Sequence, residues 1–157
     1  MKLIFLDVDG VLNHSETPEW ENGTHLVIDK QCVAELYRII DHTNAKIVLS
    51  STWRHTAGTR KFLLRHINES WIIGKTLQMH MSEGNRNHDI LEWLKTVYPY
   101  TQGWNEDPIT RMAILDDERD ADLGDGNFFK TDFYAGGLTT TIADAVITHL
   151  LKTGITV

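Results

Sequence analysis

Two pairs of aspartates stand out by spacing. Asp7 and Asp9 flank one valine in Asp7-Val8-Asp9-Gly10-Val11, and Asp116 and Asp117 are adjacent much later in the chain. Four carboxylates gathered in one place repel each other strongly unless a cation sits among them. Magnesium suits such a group, because it takes a few carboxylate oxygens and fills its other positions with water and substrate phosphate. A carboxylate can attack phosphorus to give an acyl phosphate, dividing phosphoryl transfer into two easier steps. A neighbouring acid can protonate the leaving oxygen and later activate water. Asp7 and Asp9 fit these two tasks, and Gly10 permits the tight bend and the close backbone approach that a bound phosphate needs.

Two further residue types complete such a site. A hydroxyl at Ser50 or Ser51 can bond a phosphate oxygen without adding charge, although Ser50, Ser51 and Thr52 are also ordinary helix caps. Arg86 offers a cation to balance an acyl phosphate and the group in transfer, with Lys75 as its competitor. Trp53 and Arg54 could stack on and grip a nucleic-acid end. Core packing is an equal use for Trp53, and Trp20 in its loop carries no assigned role.

These residues sit where short apolar runs stop. KLIFL at 2–6 ends on Asp7, AKIVL at 45–49 on Ser50 and Ser51, and RMAIL at 111–115 on Asp116 and Asp117. The runs read as buried strands, with WIIG at 71–74 and NFFKT at 127–131 as shorter additions. Helical spacing links them: Val33, Leu36, Tyr37 and Ile40 after an Asp29 cap; Phe62, Leu63 and Ile67; Ile90, Leu91, Leu94 and Val97; and Ile142, Ala143, Val146 and Leu150 after the turn at 136–139. Alternating strands and helices predict an α/β fold, a Rossmann-like three-layer α/β/α sandwich on a mainly parallel sheet. In such a sheet the ligand crevice lies beyond the carboxyl ends of the strands, where Asp7, Asp9, Ser50, Ser51, Asp116 and Asp117 converge.

The rest of the composition narrows the class. A chain of 157 residues, 41% hydrophobic and 24% charged, has the size and balance of one globular domain spanning 1–157. Its net charge of −7 argues against broad attraction to nucleic acid or anionic lipid, though it leaves room for a local basic patch. No apolar run approaches the roughly 20 residues that cross a bilayer. The opening MKLIFLDVDG turns acidic where a signal peptide needs a longer apolar stretch, so the expectation is a cytoplasmic protein without a membrane partner. Cys32 is the only cysteine and reads as a core residue, and the eight histidines show no zinc spacing.

Four segments in this order, DVDGV at 7–11, SST at 50–52, Arg86 and DDERD at 116–120, resemble the motifs of the haloacid dehalogenase (HAD) superfamily over nearly the whole chain. More narrowly, DVDGVLN, SSTWR, RNHDILEWL, ILDDERDAD and the later GGLT look like the small domains related to RNA-repair and polynucleotide 3′-phosphatases. The resemblance implies a magnesium-dependent phosphatase with Asp7 as nucleophile, Asp9 as acid/base, Ser51 binding phosphate and Arg86 balancing charge. It implies magnesium held by Asp7, by the main-chain carbonyl of Asp9, and by Asp116 or Asp117, with Asp120 behind it. Strand length favours Ser50 over Ser51; the alignment of Trp53 with the subgroup favours Ser51. The stretches from Asn13 to Asn44 and from Thr52 to Arg86 leave room only for a minimal cap, which suits a polymer end or an exposed nucleotide as substrate. Two rivals remain. A phosphoacceptor signalling domain also uses clustered aspartates, but orders them differently and has no use for Asp9. The other is a catalytically silent phosphate- or protein-binding module.

Overall fold

The apolar runs pair side by side into one sheet. The computed structural model describes residues 1–18, 27–50, 57–76, 86–98 and 107–153. Its strands are β1 (Lys2–Leu6), β2 (Lys46–Leu49), β3 (Ile72–Lys75), β4 (Arg111–Asp116) and β5 (Phe128–Lys130). They lie in the order β3-β2-β1-β4-β5, and each pairing is parallel. Helices α1 (Lys30–Thr43), α2 (Ala57–Leu63), α3 (Arg86–Glu92) and α4 (Thr140–Leu151) fall between or after them. The fold is the α/β sandwich that the sequence predicts.

A parallel sheet needs cover on both faces, and the alternation of β1 shows how it gets it. Ile4 and Leu6 join a core with Leu36 and Ile39 of α1 and Ala143, Val146 and Leu150 of α4. Leu3 and Phe5 face the other way, onto Ile90 and Trp93. The Phe5 and Trp93 rings meet edge to face at 5.5 Å, an arrangement that aromatic quadrupoles favour.

Capping fixes where the helices start. Asp29 accepts from the N–H groups of Gln31 and Cys32 at α1, and Thr139 accepts from Ile142 N–H at α4, each satisfying donors the first turn leaves open.

Two helix phases differ from the sequence expectation. Leu91 is exposed and Trp93 is buried instead, because Ile90, Trp93, Leu94 and Val97 share one face at ordinary helical spacing and Leu91 lies off it. Tyr37 likewise lies half outside the core. It rests on Trp71 at 4.7 Å and donates to His66 C=O, while Ile39 takes the buried place.

Candidate active site

The parallel ladder runs one residue past the strands and delivers the polar groups to one edge. Asp7 N–H donates to Leu115 C=O at 3.0 Å and Ser50 N–H to Leu6 C=O at 2.9 Å. Asp7 therefore ends β1 in the middle of the sheet, where β2 and β3 lie to one side and β4 and β5 to the other. Such a switch point opens a crevice at the carboxyl edge.

Asp7 is 3% exposed and Asp116 fully buried. With half-buried Asp117, they place carboxylate oxygens within 4.8 Å of one another. Arg86 begins α3 and reaches into the cluster, with Nη1 3.0 Å from Asp7 Oδ2 and 2.6 Å from Asp116 Oδ2. Asp120 Oδ2 accepts from the Arg86 backbone N–H at 3.3 Å. Asp120 thus braces the arginine, a contact the sequence did not suggest. Lys75 is exposed at the end of β3, one strand removed from β1, and among the described residues Arg86 supplies the cation.

The electrostatics follow from crowding and burial. Burial and the nearby Asp116 push the Asp7 carboxyl well above its ordinary range, outweighing the pull of Arg86. Burial likewise raises Asp116 to about 6 despite Arg86 and the Glu118 N–H. Burial opposes the Arg86 charge, but Asp7 and Asp116 more than offset it and hold the guanidinium protonated. The three carboxylates thus have less positive charge beside them than full ionisation requires.

That deficit predicts a pH-dependent response to metal. A carboxyl whose folded pKa lies above its unfolded value of 3.8 stabilises the fold in its protonated form. For Asp116 this contribution is complete below about pH 4 and is lost as pH rises to about 6. Added magnesium should therefore raise the melting temperature by about 5 °C or more at pH 7.5, and hardly at all at pH 4.5. Scanning fluorimetry in magnesium and in EDTA measures this; equal shifts at both pH values would contradict it.

Past Asp7 the chain turns at once. Val11 and Leu12 N–H groups donate to Val8 C=O at 3.1 and 2.8 Å, and Gly10 takes a φ of +80°. A Cβ there would lie 2.2 Å from Asp117 Oδ2, so Asp117 approaches only because residue 10 has no side chain. Late residues pin this turn. Thr131 Oγ1 donates to Gly10 C=O at 2.6 Å, and Leu138 N–H to Val11 C=O at 2.8 Å. Gly137, at a φ of +61°, lies where a Cβ would come within 2.9 Å of the Val11 carbonyl oxygen.

Of the residues expected from the sequence, Asp7, Asp116, Asp117 and Arg86 meet directly, and Gly10 lies against Asp117. Asp9 is exposed just beyond, and its side chain is not part of the three-carboxylate group. Ser50 is buried at the end of β2, and its Oγ has no hydrogen-bond partner among the described residues. Ser51, Thr52 and Arg54 lie outside the described residues, as do Trp20 and Trp53. Sequence reasoning missed Asn13 and Thr131, since a lone amide and a lone hydroxyl in loops signal nothing until the fold brings them to Gly10.

A second set of ligand-capable groups, His14, Asp29 and Cys32, forms an internal brace. Asp29 caps α1 and lies 3.0 Å from His14 Nε2. The Cys32 thiol donates to Gly136 C=O and is pushed up to about 12 by burial and by Asp29, so it stays protonated.

A family model described as the HAD domain in Swiss Army Knife RNA repair proteins matches residues 3–143. The chain belongs to this family. The match runs from β1 into α4 and takes in every residue of the site described above, so the HAD domain carries the whole acidic cluster and its arginine. Membership points to hydrolase chemistry of the phosphatase kind. Comparisons with curated proteins and with solved structures find no match. Among the described residues, no helix of the HAD domain is long and apolar enough to cross a membrane.

Proposed function

We propose that this HAD domain is a magnesium-dependent phosphomonoesterase that works through a phosphorylated Asp7. The observation that carries the reading is Arg86 Nη1 lying between Asp7 Oδ2 and Asp116 Oδ2, at the switch point of the sheet. A cation there orients one carboxylate and balances the charge of a phosphoryl group arriving on it. The donor set, hard carboxylate oxygens close together with too little positive charge nearby, fits magnesium. Asp7, Asp116 and Asp117, with Asp9 through its main-chain carbonyl, would hold it. When bound, magnesium screens these carboxylates and the phosphate from one another.

The chain's own residues then account for both half-reactions. An Asp7 carboxylate oxygen attacks phosphorus, and the bond to the leaving oxygen breaks. That oxygen keeps the electron pair and takes a proton from the Asp9 carboxyl. Water attacks the acyl phosphate, its proton passes to the Asp9 carboxylate, and the bond from Asp7 oxygen to phosphorus breaks to release inorganic phosphate. The hydroxyl of Ser51, or that of buried Ser50, is placed by sequence at the second strand end to bond a phosphate oxygen, with Thr52 and Arg54 following it.

The family description names RNA repair, and the cap allowance between Asn13 and Asn44 is small. Both favour a nucleic-acid end or nucleotide as substrate. The test is phosphate release from a 3′-phosphorylated oligonucleotide, mononucleotides and p-nitrophenyl phosphate, with magnesium and with EDTA. Release should require magnesium and be fastest on the oligonucleotide. Silence across the panel would sink the reading in favour of a binding module. A stable phosphoprotein without turnover would favour a phosphoacceptor.

A further inference from the structure

We propose that Asn13 is the positioning residue that aims the Asp9 carboxyl at the leaving oxygen, an inference that rests on the phosphomonoesterase reading above. Asn13 is 3% exposed, although it lies in the loop after β1. Its amide spans three neighbours. Oδ1 accepts from Gly10 N–H at 2.9 Å, and Nδ2 donates to Asp9 Oδ1 at 2.9 Å and to Val27 C=O at 3.0 Å. The reverse orientation would set an NH2 against the Gly10 N–H and an oxygen against the Val27 carbonyl, so the network fixes which way the amide points.

The consequence falls on Asp9. Its side chain is exposed, so packing does not choose its rotamer, and an acid must stand within hydrogen-bond reach of the oxygen it protonates. Asn13 supplies a hydrogen-bond constraint from a buried base tied to the backbone at Gly10 and Val27. Gly10 is itself held through its carbonyl by Thr131. The nucleophile's loop and the acid's orientation therefore share one brace.

A brace that only shapes the loop and one that orients an acid differ in a measurable way. Phosphate release from p-nitrophenyl phosphate expels a stable phenolate and needs little proton donation, whereas an alkyl phosphate must have its alkoxide protonated. The alkyl probe is the 3′-phosphorylated oligonucleotide or mononucleotide that the wild type turns over fastest. Asn13→Ala should slow the alkyl ester about 30- to 100-fold, part of the range general acids contribute, and the aryl ester less than about 3-fold. The ratio of the two rates does not depend on how much of the variant is folded. Asn13→Asp keeps an acceptor for Gly10 N–H and loses the donor to Asp9, so it should show the same signature. In an Asp9→Asn background, Asn13→Ala should add less than about 3-fold to the alkyl loss, since residues that act as a unit are not additive. Equal losses on both esters, full additivity, or a wild type that turns over only the aryl ester would overturn the inference. A wild type that hydrolyses neither ester would overturn the phosphomonoesterase reading instead.

Discussion

Asp7→Asn is expected to lower phosphate release by at least about 10⁴-fold, because removing a covalent nucleophile leaves only binding and charge stabilisation behind. The same substitution should leave the fold at least as stable in EDTA at pH 7.5. Burial and Asp116 together outweigh Arg86 in setting the Asp7 carboxyl, so a neutral side chain of the same shape relieves more repulsion than it forfeits in attraction. A dead protein with an undiminished melting temperature separates loss of chemistry from loss of structure. Acid quenching of the wild type during turnover, followed by peptide mapping, should place the phosphoryl group on the peptide containing Asp7. Turnover that survives in the variant would require another nucleophile.

Arg86→Met should have the second largest effect, and it should act on two observables together. Loss of a preorganised cation from the point where charge develops costs about 10²- to 10³-fold in kcat. It also leaves Asp7 and Asp116 buried without their partner, which should lower stability in EDTA at pH 7.5 by about 3–5 kcal/mol. Part of that loss should return at pH 5, where Asp116 regains its proton below its value of about 6, and part with magnesium at pH 7.5. Arg86→Lys should be milder in both respects. Both short contacts come from the single nitrogen Nη1, so the arginine is used here as a point charge, and an ammonium can copy that more closely than it copies a bidentate fork. Urea titrations and steady-state kinetics on the two variants would decide it; a stability loss independent of pH would count against the charge argument.

How much of this was legible in the sequence depended on whether a feature is local. β1, β2 and β4 are continuous apolar runs that stop on polar residues, and that pattern alone located Asp7, Ser50 and Asp116 on one edge of a sheet. Asp29 announced its helix because an N-cap works within three residues, whereas Thr139 read only as the end of a turn and its capping of α4 emerged from the structure. The face of α3 was missed by one position, since Leu91 is as apolar as its neighbours and only the packing of Trp93 on Phe5 shows which side turns inward. At the site, the charged residues were legible because clustered aspartates have few uses. Asn13, Thr131 and the bracing role of Asp120 were not, because most of their partners are backbone groups, and a polar side chain does not disclose which carbonyl or N–H it will meet.

The turn after β1 also carries a consequence for the order of assembly. Two of its carbonyls are claimed by residues made much later in synthesis: Gly10 by Thr131 and Val11 by Leu138. Contacts between such distant segments form late, after the intervening chain has paid its closure entropy. A nascent chain can therefore hold Asp7 and Asp9 and still lack the turn that Thr131 and Leu138 pin.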